Sequence, residues 1–155
     1  MSLNNLNIYN DSVEITAKLD AIVTSWPWEH RKSLGDQLRR ASVSISNNIA
    51  EGYGRLSTGD RVRFFIIADA SIFECQSIVT VAENNGLVEP ILANTLRGRL
   101  IKLSFQLIAF AHRIVSSDPS YKSTQRKHIE RRFQANQRSR KKPKTNDTDA
   151  GSDSE

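Results

Sequence analysis

Ser33-Leu34-Gly35-Asp36-Gln37-Leu38-Arg39-Arg40-Ala41-Ser42-Val43-Ser44-Ile45-Ser46-Asn47-Asn48-Ile49-Ala50-Glu51-Gly52-Tyr53-Gly54-Arg55 is the stretch whose reading decides the fold. Leu34, Leu38, Ala41, Ile45 and Ile49 recur at three- and four-residue steps, with Ser42 and Gly52 beside them. That spacing marks the buried face of a helix. Ser42, Ser44, Ser46, Asn47, Asn48 and Gly52 are weak helix formers, so the helix depends on tertiary packing. Their small side chains let a neighbouring helix approach closely. No catalytic motif lies within the stretch.

Moving outward, three more amphipathic segments flank it. The first is predicted to start near residue 3 or 6 and end at 25, with Ile8, Ser12, Ile15, Leu19, Ile22 and Trp26 along one seam. Trp26-Pro27-Trp28 ends it, because a residue before proline leaves the α region. This corner is predicted to plug one end of the fold. The helix carrying the quoted stretch runs from about 29–33 to 52–55. Ser57 or Thr58 caps the next, predicted over 58–85, with Val62, Phe65, Ile66, Asp69, Ile72, Phe73, Gln76, Val79 and Val81 inward. Asn84-Asn85-Gly86 stops it. Pro90 suits the first turn of a fourth helix reaching about 117, with Ile91, Leu92, Leu96, Leu100, Leu103, Leu107, Phe110, Ala111 and Ile114 inside. Four such helices joined by short turns predict an all-α, up-down-up-down antiparallel four-helix bundle over 1–117.

Charge divides the chain differently. Residues 1–117 hold 12 Lys/Arg and 11 Asp/Glu, a net +1. Residues 121–144 hold ten basic residues against Glu130 alone, +9, and residues 145–155 carry −4. Ile129 and Phe133 are the only large aliphatic or aromatic residues after Lys122. So little apolar surface predicts a flexible basic, then acidic, tail over 118–155. The stretch 121–140 has helical potential on a partner, and the chain from Lys141 onward is predicted to be disordered.

The chemistry that composition excludes is broad. Cys75 is the single cysteine, so there is no intramolecular disulfide framework and no thiolate cluster. His30, His112 and His128 lack a glutamate three residues earlier, since those places hold Pro27, Ala109 and Gln125. Di-metal bundles need that pairing. Gly52, Gly54 and Gly59 are not followed by the Gly-Lys-Ser/Thr of a phosphate loop. No metal, cofactor or enzymatic activity is expected. No leader-like segment and no apolar run near the ~20 residues of a bilayer span stand out, which predicts a cytoplasmic protein.

The quoted stretch also carries a resemblance. Asp36 through Ile45, followed by Asn48-Ile49-Ala50-Glu51-Gly52-Tyr53-Gly54-Arg55, resembles the signature of small bacterial four-helix-bundle proteins encoded in intervening sequences of large-subunit ribosomal RNA genes. A related branch contains the accessory variability proteins of diversity-generating retroelements. The family pattern has Pro-Ala after the isoleucine; here Ser46 and Asn47 stand there, which alters local helix geometry. The resemblance covers roughly residues 3–117. It implies a ring-like homopentamer, with a basic surface that contacts nucleic acid. In the retroelement branch it implies a non-enzymatic partner of a reverse transcriptase and its template RNA.

The candidate residues follow from charge. Arg39, Arg40, Arg55, Arg61 and Arg63 lie around the second helix and the turn after it. Arg126, Lys127, Arg131, Arg132, Arg138, Arg140, Lys141, Lys142 and Lys144 make up the tail's basic arm. Such residues neutralise phosphates and release counterions, so binding weakens steeply with salt. Few aromatics accompany the tail, which argues against base-stacking specificity there. Glu51, Asp69 and Glu74 sit among apolar or small residues and are read as structural carboxylates. Arg39, Arg40 or Arg63 are their expected partners, across helices or across a subunit boundary. The combined expectation is an oligomeric nucleic-acid-binding accessory protein, with RNA favoured over DNA. A protein-interaction scaffold with apolar outer faces is the alternative.

Overall fold

The computed structural model describes residues 3–141, and apart from a 3-10 turn at Leu3–Asn5 its regular structure begins with α1, Asn7–Thr24. Ile8, Ser12, Ile15, Leu19 and Val23 are buried along α1. Trp26 follows, 3% exposed, and caps the core as expected. Trp28 does not share that role. It is 56% exposed, with the Lys32 ammonium 5.0 Å from its ring centroid.

The chain then turns through α2, Trp28–His30, and a π-helical segment, Arg31–Gly35, into α3, Asp36–Gly54. Gly35 is needed there: a Cβ on it would sit 2.5 Å from Val23 Cγ1. Helix α3 buries Leu38, Ala41, Ser42, Ile45, Ser46, Ile49 and Gly52, the face read from the sequence. It continues unbroken past Ser46 and Asn47. Ser46 donates its hydroxyl back to Val43 O at 3.1 Å. The small residues also join helices directly. Thr16 Oγ1 donates to Ser42 O at 3.0 Å, and the Ser44 and Ser71 hydroxyls are 2.9 Å apart. A Cβ on Gly52 would meet the Phe65 ring at 2.7 Å, so glycine sets the approach of α3 to the next helix.

Helix α4, Thr58–Asn84, starts at Ser57, whose Oγ accepts the Asp60 N–H. Gly86 provides the left-handed turn after it, at φ 68°. By length and composition α4 is apolar enough to cross a bilayer, contrary to the sequence expectation. Here it is a core helix packed between α3 and α5, with Val62, Phe65, Ile72 and Val79 buried. Phe73 and Val81, expected inside, are 47% and 42% exposed. Helix α5, Pro90–Ser116, buries Leu96, Leu100, Leu103 and Leu107, but Ile91 and Leu92 at its mouth are exposed. Those two precede the point at which α5 enters the core.

The largest departure from the sequence reading is the tail. Thr124–Lys141 forms a fifth long helix, α6, packed against α5 and α4. Ile129 is fully buried, which contributes about 1.5–3 kcal/mol. Phe133 stacks on His112 with ring centroids 3.9 Å apart. The ordered unit therefore extends at least 24 residues beyond residue 117 (141 − 117). Lys142, Lys144 and the acidic stretch 145–155 lie outside the described residues. The described residues are all-helical or turn, with no strand. Helix α3 lies between α1 and α4, α5 packs on α4, and α1 also meets α5.

Candidate nucleic-acid interface

Helix α6 has two faces with opposite duties. Arg126 faces inward: its Nη1 donates to Val115 O at 2.8 Å, Asp118 O at 3.0 Å and Tyr121 O at 3.1 Å. These carbonyls lie at the end of α5 and in the following turn, and Val115 O and Asp118 O each also accept a backbone N–H. Glu130 holds the same guanidinium from the next turn of α6, at 2.8 Å. Asp118 secures the other side of the turn. Its carboxylate accepts from Ser120 and Thr58, which together hold it below the usual carboxylate range.

Arg132 also faces inward. Its Nη2 is 2.8 Å from Asp69 Oδ2 and 3.2 Å from Ser104 Oγ, and its guanidinium lies 4.8 Å from the Phe73 ring centroid. Ser104 donates to the other Asp69 oxygen at 2.5 Å. Asp69 is 4% exposed, so this is a nearly buried carboxylate on α4 partnered from two other helices, α5 and α6. Its partner is Arg132, not Arg39, Arg40 or Arg63. The other two acids need correction: Glu51 and Glu74 are exposed. Glu51 pairs with Arg55 on its own helix, and Glu74 has no ion-pair partner among the described residues.

The remaining cations sort by their neighbours. Arg39 spans α1 and α3 through Asp20 at 2.6 Å and Thr24 at 3.2 Å. Arg55 is held by Glu51 and stacks on Phe64, its guanidinium 5.1 Å from the centroid. Arg61 is half-buried, with its Nε closed off from solvent and lacking an acceptor. Arg140 lies 5.7 Å from the Phe105 ring centroid. Lys142 and Lys144, with the Lys141 side chain, are outside the description. Arg40, Arg63, Lys127, Arg131 and Arg138 are exposed and have no carboxylate partner among the described residues.

Three of those free cations form a pattern. Lys127, Arg131 and Arg138 are separated by four and seven residues, close to one and two turns of an α-helix. They line one side of α6 over roughly 16 Å, at 1.5 Å of rise per residue. Ile129, Phe133 and Asn136 occupy the side turned to the bundle. The sequence signal for this was present as Ile129, Phe133 and Asn136 at four- and three-residue steps. It was weak because only two of the three are apolar.

Among the described residues, no group of three or more His, Cys, Asp or Glu side chains could hold a metal ion. Burial pushes the Cys75 thiol up to about 12, with the nearby Glu74 charge adding to it. A rise from 9.0 to about 12 lowers the thiolate fraction about a thousandfold, so the group is a small core side chain.

Comparison with known proteins places the first four long helices. The chain is similar to a solved Bacteroides thetaiotaomicron protein of unknown function from the S23 ribosomal protein family, with a TM-score of 0.60. Identity is 15%, and the match covers 67% of this chain and 97% of the other, so the likeness speaks to fold. No curated protein matches. The family model for the 23S rRNA-intervening sequence protein matches residues 4–109, which leaves α6 outside the matched region. Over two-thirds of its length, then, this chain carries that family's pattern, and it belongs to the 23S rRNA-intervening sequence protein family.

Proposed function

We propose that this protein is a non-catalytic RNA-binding accessory protein that uses the outer side of α6 as its phosphate-contacting surface. The observation that carries the reading is the row of Lys127, Arg131 and Arg138, exposed and without carboxylate partners on a helix fixed from its other side. A fixed row of cations meets a phosphate backbone without the ordering cost of a flexible arm. Arg40 and Arg63 extend the candidate surface on the bundle itself. The core beneath is an up-down-up-down four-helix bundle in this reading, and the protein acts in the cytoplasm. The family's ribosomal RNA context and the resemblance to retroelement accessory proteins favour RNA over DNA, with a reverse transcriptase as the proposed protein partner.

Filter binding to a structured RNA at two salt concentrations tests this. Binding at ~50 mM salt that falls by tenfold or more at ~200 mM is expected for several phosphate contacts. No binding at the lower salt contradicts the reading.

A self-assembling scaffold is proposed alongside, as a homopentamer. Exposed Val13 and Val43 flank an open groove of about 420 Å³ between α1 and α3, floored by Ala17, Ser42 and Ser46. Apolar side chains left outside a core favour a covering partner. Light scattering after size exclusion is expected to return five times the 17.5 kDa chain mass; a monomer at micromolar concentration contradicts it.

A further inference from the structure

We infer that the groove between α4, α5 and α6 accepts an unstacked base of single-stranded RNA, an inference that rests on the RNA-binding reading above. The groove has a volume of about 310 Å³. Two aromatic rings line it, Phe73 from α4 and Phe105 from α5, each with a guanidinium from α6 beside it: Arg132 at 4.8 Å and Arg140 at 5.7 Å. Phe73 is 47% exposed and Ile101 on the same wall 42%, so apolar and aromatic surface faces solvent beside Arg140 and the Asp69-paired Arg132. That combination suits a ligand that is planar, stackable and anionic.

Asn136 supplies a polar feature. It lines the groove, is 7% exposed, and its amide nitrogen is buried with no acceptor among the described residues. Buried amides are normally partnered, and leaving one open is costly. A base edge carries acceptors of the kind this amide lacks. Few aromatics accompany α6 in sequence, but docking brings two to it from other helices. The free cations Lys127, Arg131 and Arg138 lie on the same helix, so one strand can contact them while placing a base in the groove. Duplex RNA keeps its bases stacked, leaving it only the phosphate contacts.

The test compares a single-stranded RNA with a blunt-ended duplex of equal phosphate number, by fluorescence anisotropy on the full chain. Phe73→Ala is expected to weaken the single strand by about fivefold or more and the duplex by less than about twofold. Phe73→Trp is expected to keep the single-strand affinity. Asn136→Ala is the second variant, and an abasic strand should be indifferent to Phe73→Ala. Equal effects on both RNAs, or on neither, overturn the base site while leaving the phosphate reading standing. A change of assembly mass on Phe73→Ala also overturns it, because the groove is then a contact between copies. If neither RNA binds the unaltered chain, the proposed function fails and this site with it.

Discussion

The inner and outer sides of α6 carry the same positive charge in opposite circumstances. Arg126 and Arg132 point inward and make hydrogen bonds to three backbone carbonyls, Asp69 and Ser104. Lys127, Arg131 and Arg138 point outward without a carboxylate among the described residues. A count of basic residues treats all five alike. Their surroundings make the first two structural and leave the other three available. Scarce apolar surface predicted a flexible tail, yet two of its arginines help to fasten it.

The comparison breaks most visibly at Arg132. Arg132→Ala leaves the Asp69 carboxylate, 4% exposed, with Ser104 as its remaining partner. Removing one side of a largely buried pair costs about 3 kcal/mol, allowing for the partial exposure of Arg132. Urea unfolding checks this; a loss below about 1 kcal/mol would mean that α6 is held chiefly by Ile129 and Phe133. Arg126→Ala should cost less, about 1–2 kcal/mol, since its carbonyl acceptors sit in a turn that water reaches in part. The same unfolding series reads it, and a neutral result would remove Arg126 from the structural set. Alanine at all three outer positions should shift stability by no more than about 0.5 kcal/mol, as for exposed residues without partners.

The bundle was far more legible in the sequence than α6. The seams through Ile8–Leu19, Leu38–Ile49 and Leu96–Leu107 are regular apolar repeats, and each becomes a buried face. The misplaced residues have local causes. Ile91 and Leu92 sit in the first turn of α5, outside the core, and Phe73 lies on the side of α4 that lines the α6 groove. Helix α6 escaped because its attachment is mainly polar: a guanidinium on a buried acid, another on helix-end carbonyls, and a ring stacked on His112. Hydrophobic periodicity does not register such contacts. Asp69 was a usable clue, since a carboxylate in an apolar helix face requires a partner. That partner, Arg132, lies beyond residue 117, on the helix that low apolar content conceals. Among the basic candidates, sequence supplied the inventory, and only packing separates cations that hold the fold from cations left for a ligand.

The central claim is that the outer cations contact phosphate while the inner ones hold the helix in place. The most direct measurement is the salt dependence of RNA affinity for the unaltered chain and for the triple variant Lys127→Ala, Arg131→Ala, Arg138→Ala. Each lost phosphate contact lowers the slope of log affinity against log salt by about 0.7–0.9, so a reduction of roughly 2–3 is expected, with thermal stability unchanged. An unchanged slope in the folded variant would contradict the account.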